Sequence, residues 1–330
     1  MTLLNEPPEE RQYLRLPESF GRRFTIFCDT EEEFDWARPR SRDNRSTTHM
    51  GAMPAMQERF RRRGIAQVFL VDHPIATDLA SISMLREWLD RGECSVGTQL
   101  HPWVNPPHDE DVITFNSFAG NLPRGLERAK IVNLTETIES AFGRRPTVYR
   151  AGRYGVGPNT AELLEEAGYE ADVSVRALFD YADEGGPDFS RVRPLPFRVG
   201  GALVELPLSA AYVGGLRAKG RGLYRAAGRI PRGRGLLSRA GLLNRVPLTP
   251  EGVPLHEALA AARALLDDGL QWLSLSYHSP SVEPGHTPFV RTAADLDRFH
   301  AWWDGMLDFF EAQGISPASI EETVAAAKAS

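Results

Sequence analysis

Cysteine is scarce in this 330-residue chain. Cys28 and Cys94 are the only two, and both fall inside apolar runs, so no disulfide framework is implied and reduced, buried thiols are expected. Lysine is rarer than its charge class suggests: Lys130, Lys219 and Lys328 are the only three, and arginine carries the remaining positive charge. No stretch of about twenty apolar residues occurs, which excludes a membrane-spanning helix. An excess of positive charge is also missing. The formal net charge is −6, which argues against a nucleic-acid-binding protein. The opening residues, MTLLNEPPEERQYLRLPESF, lack an apolar segment behind a basic start, so they are not expected to act as a secretory signal, and a cytoplasmic location is expected.

What is present is ordinary for a folded protein: 42% hydrophobic and 25% charged residues, enough chain for one large α/β domain or two smaller ones. Residues 1–22 are polar and contain proline, and read as an arm lying on the surface of a single domain over 23–330. Beyond them, apolar β-rich runs alternate with segments of helical period. Strands are expected at 24–28, 65–71, 94–100, 147–150, 171–175, 202–206 and 272–277. Helices are expected at 53–63, from Thr77 or Asp78 to about 91, and at 124–142, 158–166, 255–267, 293–312 and 317–328. This rhythm predicts a mostly parallel sheet, either doubly wound or closed into a barrel.

Polar residues gather just beyond the expected strand ends: Asp29 and Glu31, Asp72 and His73, His101, Arg150, Arg176 and His278. In a parallel barrel all of them project at one mouth, where such folds keep their chemistry. The densest group is FTIFCDTEEEFDW, a buried strand that stops on Asp29 and continues into Glu31, Glu32, Glu33 and Asp35. Alone it reads equally well as a solvated acidic turn. Beside the other strand ends it supplies parts for amide hydrolysis, which needs an activated water, a place for an oxyanion and an acid for the leaving amine. Asp29 and Glu31 can serve as a base and a hard-oxygen metal ligand, His101 as an imidazole ligand and His278 as the acid. Arg150 can hold a carboxylate ionised through a bidentate pair.

The stretch 178–250 breaks the rhythm and is expected to be an Arg-rich insertion. Residues 215–250 carry nine Arg or Lys and no acidic residue, interleaved with Leu216, Leu223, Tyr224, Ile230, Leu236 and Leu237. The stretch reads either as a solvated insertion or as a contact surface for anionic lipid or a phosphorylated substrate.

Taken in order, TEEEFDW, VGTQLHPWVNPP, YRAGRYG, EADVSVRALFDY and YHSPSVEPG resemble the motifs of the polysaccharide deacetylases of the NodB-homology type, the carbohydrate esterase family 4 group. The combination looks like a bacterial branch encoded near cell-surface glycan genes. The resemblance covers about residues 22–315. It implies a distorted (β/α)7 barrel, a divalent metal, usually zinc, and removal of an acetyl group from an N-acetylated amino sugar. It assigns Asp29 as base, Glu31 as metal carboxylate with Glu32 a substitute, Arg150 beside the base, the Tyr154 backbone N–H to the oxyanion and His278 as acid. Asp172 and Ser174 fall in the loosely matched fourth motif. The family's metal histidine pair is incomplete here. One register places His101 first and Asn105 in the second position; the other leaves Gln99 and Trp103. Zinc prefers nitrogen or sulfur donors, so an amide in this place implies a weaker or harder site. Two alternatives stay open: a different C–N hydrolase on the same scaffold, and a degenerate barrel that binds a glycan without hydrolysing it.

Overall fold

The computed structural model describes residues 3–330. Strands β1 (Arg23–Thr30), β2 (Gln67–Val71), β3 (Cys94–Leu100), β4 (Val148–Ala151) and β5 (Ala171–Asp172) lie side by side, parallel, in chain order. Two short strands extend this row. β6 (Phe197–Arg198) takes the edge, antiparallel to β7 (Val204–Glu205), which itself runs parallel to β5. Strands β8 (Ala210–Val213) and β9 (Asn244–Pro247) form a separate antiparallel pair. β10 (Trp272–His278) then returns to lie parallel beside β1, and β11 (Ser316–Pro317) touches the start of β1. The seven parallel strands are those expected from the apolar runs, and they curl into the distorted (β/α)7 barrel.

The helices follow in the expected alternation: α1 (Met53–Arg61), α2 (His73–Thr77), α3 (Leu79–Asp90), α4 (Arg124–Phe142) and α5 (Thr160–Ala167). α6 (Gly220–Gly228) and α7 (Gly233–Arg239) lie in the insertion, and α8 (Leu255–Asp267), α9 (Ala293–Ala312) and α10 (Ile320–Lys328) complete the set. Their starts follow local chemistry. Asp78 caps α3 by accepting from Ser81 N, and the Thr292/Asp295 and Ser319/Glu322 pairs form capping boxes on α9 and α10. Among the described residues no helix is long and apolar enough to cross a membrane.

Strand alternation sorts the core into two layers. Phe27, Val68, Leu70, Val148, Val204 and Trp272 pack together inside the barrel. Ile26, Cys28, Phe69, Val71, Tyr149, Leu275 and Tyr277 face the helices. Each such side chain, fully buried, contributes roughly 1.5–3 kcal/mol. The same alternation sends Asp29, Gln99, Arg150 and His278 inward at the C-terminal strand ends, two residues beyond Phe27, Gly97, Val148 and Ser276. Gly97 is required there, because a Cβ would lie 2.8 Å from a Leu70 methyl and 2.9 Å from Val148 O.

Closure between β7 and β10 uses no strand ladder. Instead Ser209 N donates to Ser274 Oγ (2.8 Å), Ser274 N donates to Ser209 Oγ (2.9 Å), and Ser276 N donates to Leu248 O (3.2 Å). Hydroxyls thus satisfy backbone donors that a regular barrel would pair with carbonyls, and this seam is where the barrel is distorted. The residues ahead of β1 pack tightly: Leu4, Leu14 and Leu16 are buried, and Leu14 N donates to Pro196 O beside β6.

In the insertion the helical segments α6 and α7 were not legible, because frequent glycines obscure the helical period. Ile230 and Leu236 on it are 61% and 60% exposed.

The loop before α4 is sealed onto the turn after β4 by two glycines. A Cβ on Gly157 would fall 2.2 Å from Gly120 O, and Gly120 N donates to Gly155 O at 2.7 Å. Gly157→Ala is therefore expected to destabilise the fold by about 1–3 kcal/mol through overpacking. The denaturant midpoint checks this, and an unchanged midpoint would refute the close approach.

Candidate active site

β1 ends inside the barrel on Asp29, 2% exposed, and β4 brings Arg150, 1% exposed, against it. Arg150 Nη1 is ion-paired with Asp29 Oδ1, Nε donates to Val173 O (3.1 Å), and the guanidinium lies over the Phe27 ring. A charge buried this deeply needs its partner, since breaking such a pair strands the other ion. Beneath Arg150, Ser174 Oγ accepts from Ala151 N (2.7 Å) and donates to Asp172 Oδ1 (2.6 Å). Burial pushes Asp172 up against its hydrogen bonds with Glu205 and Ser174, and burial together with the neighbouring Asp172 pushes Glu205 up. The fourth-motif residues Asp172 and Ser174 therefore support the site from below and do not line it.

β10 pairs with β1 so that Asp29 and His278 are register neighbours. His278 Nε2 lies 3.7 Å from Asp29 Oδ2, while Nδ1 is 2.6 Å from Glu251 Oε2. Glu251 Oε1 accepts from His278 N (3.0 Å) and Ser281 Oγ (2.6 Å), so its position is fixed from three directions. Burial alone would depress the imidazole. Glu251, with Glu31 and Asp29 behind it, outweighs burial and holds His278 up at about 10. At neutral pH His278 is a cation that can donate a proton.

The three glutamates after β1 have three different fates. Glu31 is buried and pushed up to about 7 by burial, with His278 and His101 pulling the other way. Its Oε2 accepts from Gln99 Nε2 (2.9 Å) and lies 3.6 Å from His101 Nε2. Glu32 is fully buried, with Oε1 accepting from Trp103 Nε1 (2.6 Å) and Oε2 facing His101 Nδ1 (2.7 Å). Glu33 is held well below the usual carboxylate range. Burial opposes that, but hydrogen bonds from His49, Ser46 and Thr48 prevail. His49 continues from Glu33 to Ser279 Oγ (2.8 Å), which accepts from Glu31 N (3.1 Å) and ties the β1 end to the β10 end.

Asp29, Glu31, Gln99, His101, Glu251 and His278 line a cavity of about 320 Å³. One side is aromatic. The Trp103 ring stacks on His101 with centres 4.3 Å apart, Phe34 meets both rings edge-on, and Trp36 stands edge-on to His278 at 5.1 Å. Tyr154 also lines the cavity, on a turn where Arg153 and Tyr154 take positive φ values of 55° and 61°. Two successive non-glycine residues in that region mark a strained, over-determined turn. Gly152 is obligatory, because a Cβ there would meet His101 Cδ2 at 2.2 Å.

Among the described residues one acid–imidazole trio, Glu32, Asp72 and His101, lies close enough to share an ion. Its carboxylate oxygens are already taken: Asp72 accepts from Ile75 N (2.9 Å) and Glu32 N (2.7 Å), and Glu32 accepts from Trp103 and His101. On the cavity side the situation is reversed. Among the described residues Glu31 Oε1 and Gln99 Oε1 are buried with no hydrogen-bond partner, and, with the proton assigned to Nδ1, His101 Nε2 accepts from Gln99 Nε2 at 3.2 Å. A carboxylate, an amide oxygen and one imidazole fit a divalent cation, with Glu32 as the outer partner that orients the imidazole.

Asp29, Glu31, His101, Arg150, Tyr154 and His278 thus line one cavity. Asn105 does not. Its Nδ2 donates to Pro106 O (2.7 Å) and Lys130 O (3.1 Å), under a loop that buried Lys130 gathers by donating to the carbonyls of Pro102, Asn105 and Pro107. Strand alternation explains the difference: Gln99 and His101, two apart, share the inward face, whereas Asn105 lies beyond the turn. Glu251 was missed, being a lone acid in a loop with no motif around it. Glu32, expected only as a substitute for Glu31, lies behind His101, and its place two residues past the end of a buried strand was a signal of burial.

No protein-family model matches the sequence, and no curated protein matches it. Among solved structures, one described as a polysaccharide deacetylase from Mycobacterium smegmatis is 18% identical, covering 96% of this chain and 98% of that one, with a TM-score of 0.48. A CE4 family pseudoenzyme from Bacillus anthracis is 9% identical over 92% of this chain and 66% of its own, TM-score 0.44. A 4-alpha-glucanotransferase from Thermococcus litoralis is 13% identical over 92% of this chain, TM-score 0.51; this chain spans 40% of it. The likeness is one of fold. CE4 proteins and polysaccharide deacetylases are among the structures similar to this chain, the group its motifs resemble.

The Glu251 contact makes a prediction about protonation. In the wild type the His278 imidazole stays protonated until the pH approaches about 10. Glu251→Gln removes the main charge raising it, so the midpoint must fall by more than about one unit. Imidazole NMR titration reads this directly, and equal midpoints in both proteins would contradict it.

Proposed function

We propose that the protein is a hydrolase that removes an acetyl group from an N-acetylated amino sugar. The observation that carries this reading is the arrangement around one cavity. A carboxylate clamped by arginine faces a protonated histidine, and both sit beside the Glu31, Gln99 and His101 donors.

A divalent cation, zinc or a harder ion, held by Glu31, His101 and Gln99, would supply electrophilic activation of water and carbonyl. The other steps belong to the chain's own groups. Asp29, ion-paired with Arg150, takes a proton from the attacking water as its oxygen bonds to the amide carbon. The Tyr154 backbone N–H is the proposed donor to the developing oxyanion. His278 donates its proton to the sugar nitrogen as the C–N bond breaks, giving a free amine and acetate. Glu251 keeps that proton in place until it is needed. The aromatic side formed by Phe34, Trp36 and Trp103 suits the apolar face of a sugar ring.

A sugar precursor in the cytoplasm, free or linked to a nucleotide or lipid, is the proposed substrate. The acid-free basic insertion with exposed Ile230 and Leu236 supports contact with anionic lipid or phosphate. One observation favours a second reading, a barrel that binds a glycan without hydrolysing it: His101 is the only imidazole among the proposed cation ligands.

Acetate release from a panel of N-acetylated amino sugars separates the two. The first reading predicts release by the wild type and a loss of about 10³-fold in Asp29→Asn, the scale of a missing general base. Sugar binding without release in the metal-reconstituted wild type would establish the second.

A further inference from the structure

The charges lining the cavity pair off one by one. Asp29 has Arg150, Glu184 has Arg153, Glu251 has His278, and Glu31 takes the Gln99 amide. Two guanidiniums are left over. Arg40 lies against the aromatic side, its Cζ 4.5 Å from the Phe34 ring centre and 5.6 Å from that of Trp103. Its Nε is buried without a partner, and its one hydrogen bond runs from Nη1 to Arg38 O at 3.4 Å. Arg176 follows β5 and stacks on Phe179 (4.0 Å) and Tyr154 (5.2 Å), with Nη1 donating to the Tyr181 hydroxyl at 3.1 Å. Among the described residues neither forms an ion pair, whereas Arg59, Arg61, Arg124, Arg145 and Arg193 each have a carboxylate.

Neither half-buried guanidinium has a paired carboxylate: burial outweighs the pull of Glu31, Glu32 and Glu184 on Arg40, whereas Tyr181, Tyr154 and Glu251 compensate Arg176. Stacking on rings fixes each plane and leaves its N–H edge aimed outward, the geometry that binds phosphate or carboxylate oxygens in pairs. The stack also continues outward. Arg245 lies on Phe179 (3.6 Å) and on Tyr224 (5.0 Å), and Arg234 on Tyr224 (4.7 Å), so cationic planes lead from the cavity wall to α6. Arg245 likewise has no acidic partner among the described residues; its Nη1 donates to Leu178 O.

We infer that the substrate carries an anionic group, a phosphate ester or a carboxylate on the sugar, which Arg40 and Arg176 bind. This rests on the cavity being a sugar site, but not on hydrolysis. The continued stack of arginines favours the doubly charged phosphate.

Calorimetric binding of N-acetylglucosamine, its 1-phosphate and the corresponding N-acetylated uronic acid, to the wild type and to Asp29→Asn, tests it. At least one charged sugar should bind about tenfold or more tightly than the neutral one, the scale of a lost charge-assisted hydrogen bond. Arg40→Gln and Arg176→Gln should each remove most of that advantage, weakening the charged sugar far more than the neutral one. Arg176→Lys should restore part of it, and the exposed Arg38→Gln should change nothing. Tighter phosphate binding identifies a phosphate ester, and tighter uronate binding a carboxylate; both uphold the two-arginine site. Equal affinity for charged and neutral sugars, or an advantage that survives both arginine variants, overturns it. Failure to release acetate would sink the hydrolase reading without touching this result.

Discussion

Four carboxylates within five residues at the end of a buried strand cannot share that space unless each finds its own partner. Asp29, Glu31, Glu32 and Glu33 meet this constraint with partners drawn from different parts of the chain. Asp29 takes Arg150 from β4, and Glu31 takes Gln99 from β3. Glu32 takes Trp103 and His101 from the loop after β3, and Glu33 takes His49, Ser46 and Thr48 from the segment before α1. Supplying those partners fixes which strand ends and loops converge on the cavity.

Two working halves result. In one, Arg150, Asp29, His278 and Glu251 form a line in which Arg150 pairs with Asp29 and Glu251 holds His278 protonated. In the other, Glu31 Oε1 and Gln99 Oε1 have no hydrogen-bond partner among the described residues and lie beside His101, with Glu32 behind the imidazole. The Ser279–His49–Glu33 chain joins them through the Glu31 backbone. Neither half stands at the surface, which makes every charge in them expensive to leave unpaired.

Much of this was readable from the residues. Apolar runs ending in polar residues placed seven parallel strands and put Asp29, Glu31, His101, Arg150 and His278 at one mouth. Periodicity alone cannot say which polar residue in a loop turns back to the cavity. Glu251 reaches His278 through a loop between β9 and α8, and no spacing rule forecasts that path. Asn105 fitted a motif register, but Lys130 draws its loop inward and away from the cavity. Gln99 stood, with Trp103, in the register that holds no histidine, yet the strand's two-residue repeat determines that it faces inward with His101. In the insertion, glycine hid the helical period, so β8, β9, α6 and α7 became visible only in three dimensions.

The account stands most directly on whether the cavity-side donors hold a cation. Metal analysis of the purified protein, reconstituted with zinc or manganese and then dialysed, should find one divalent ion per chain in the wild type. His101→Ala and Glu31→Gln should lose it, while Asn105→Ala, whose side chain is committed to Pro106 and Lys130, should retain it. A wild type that binds no ion, or an ion lost with Asn105 and kept without His101, would contradict the account.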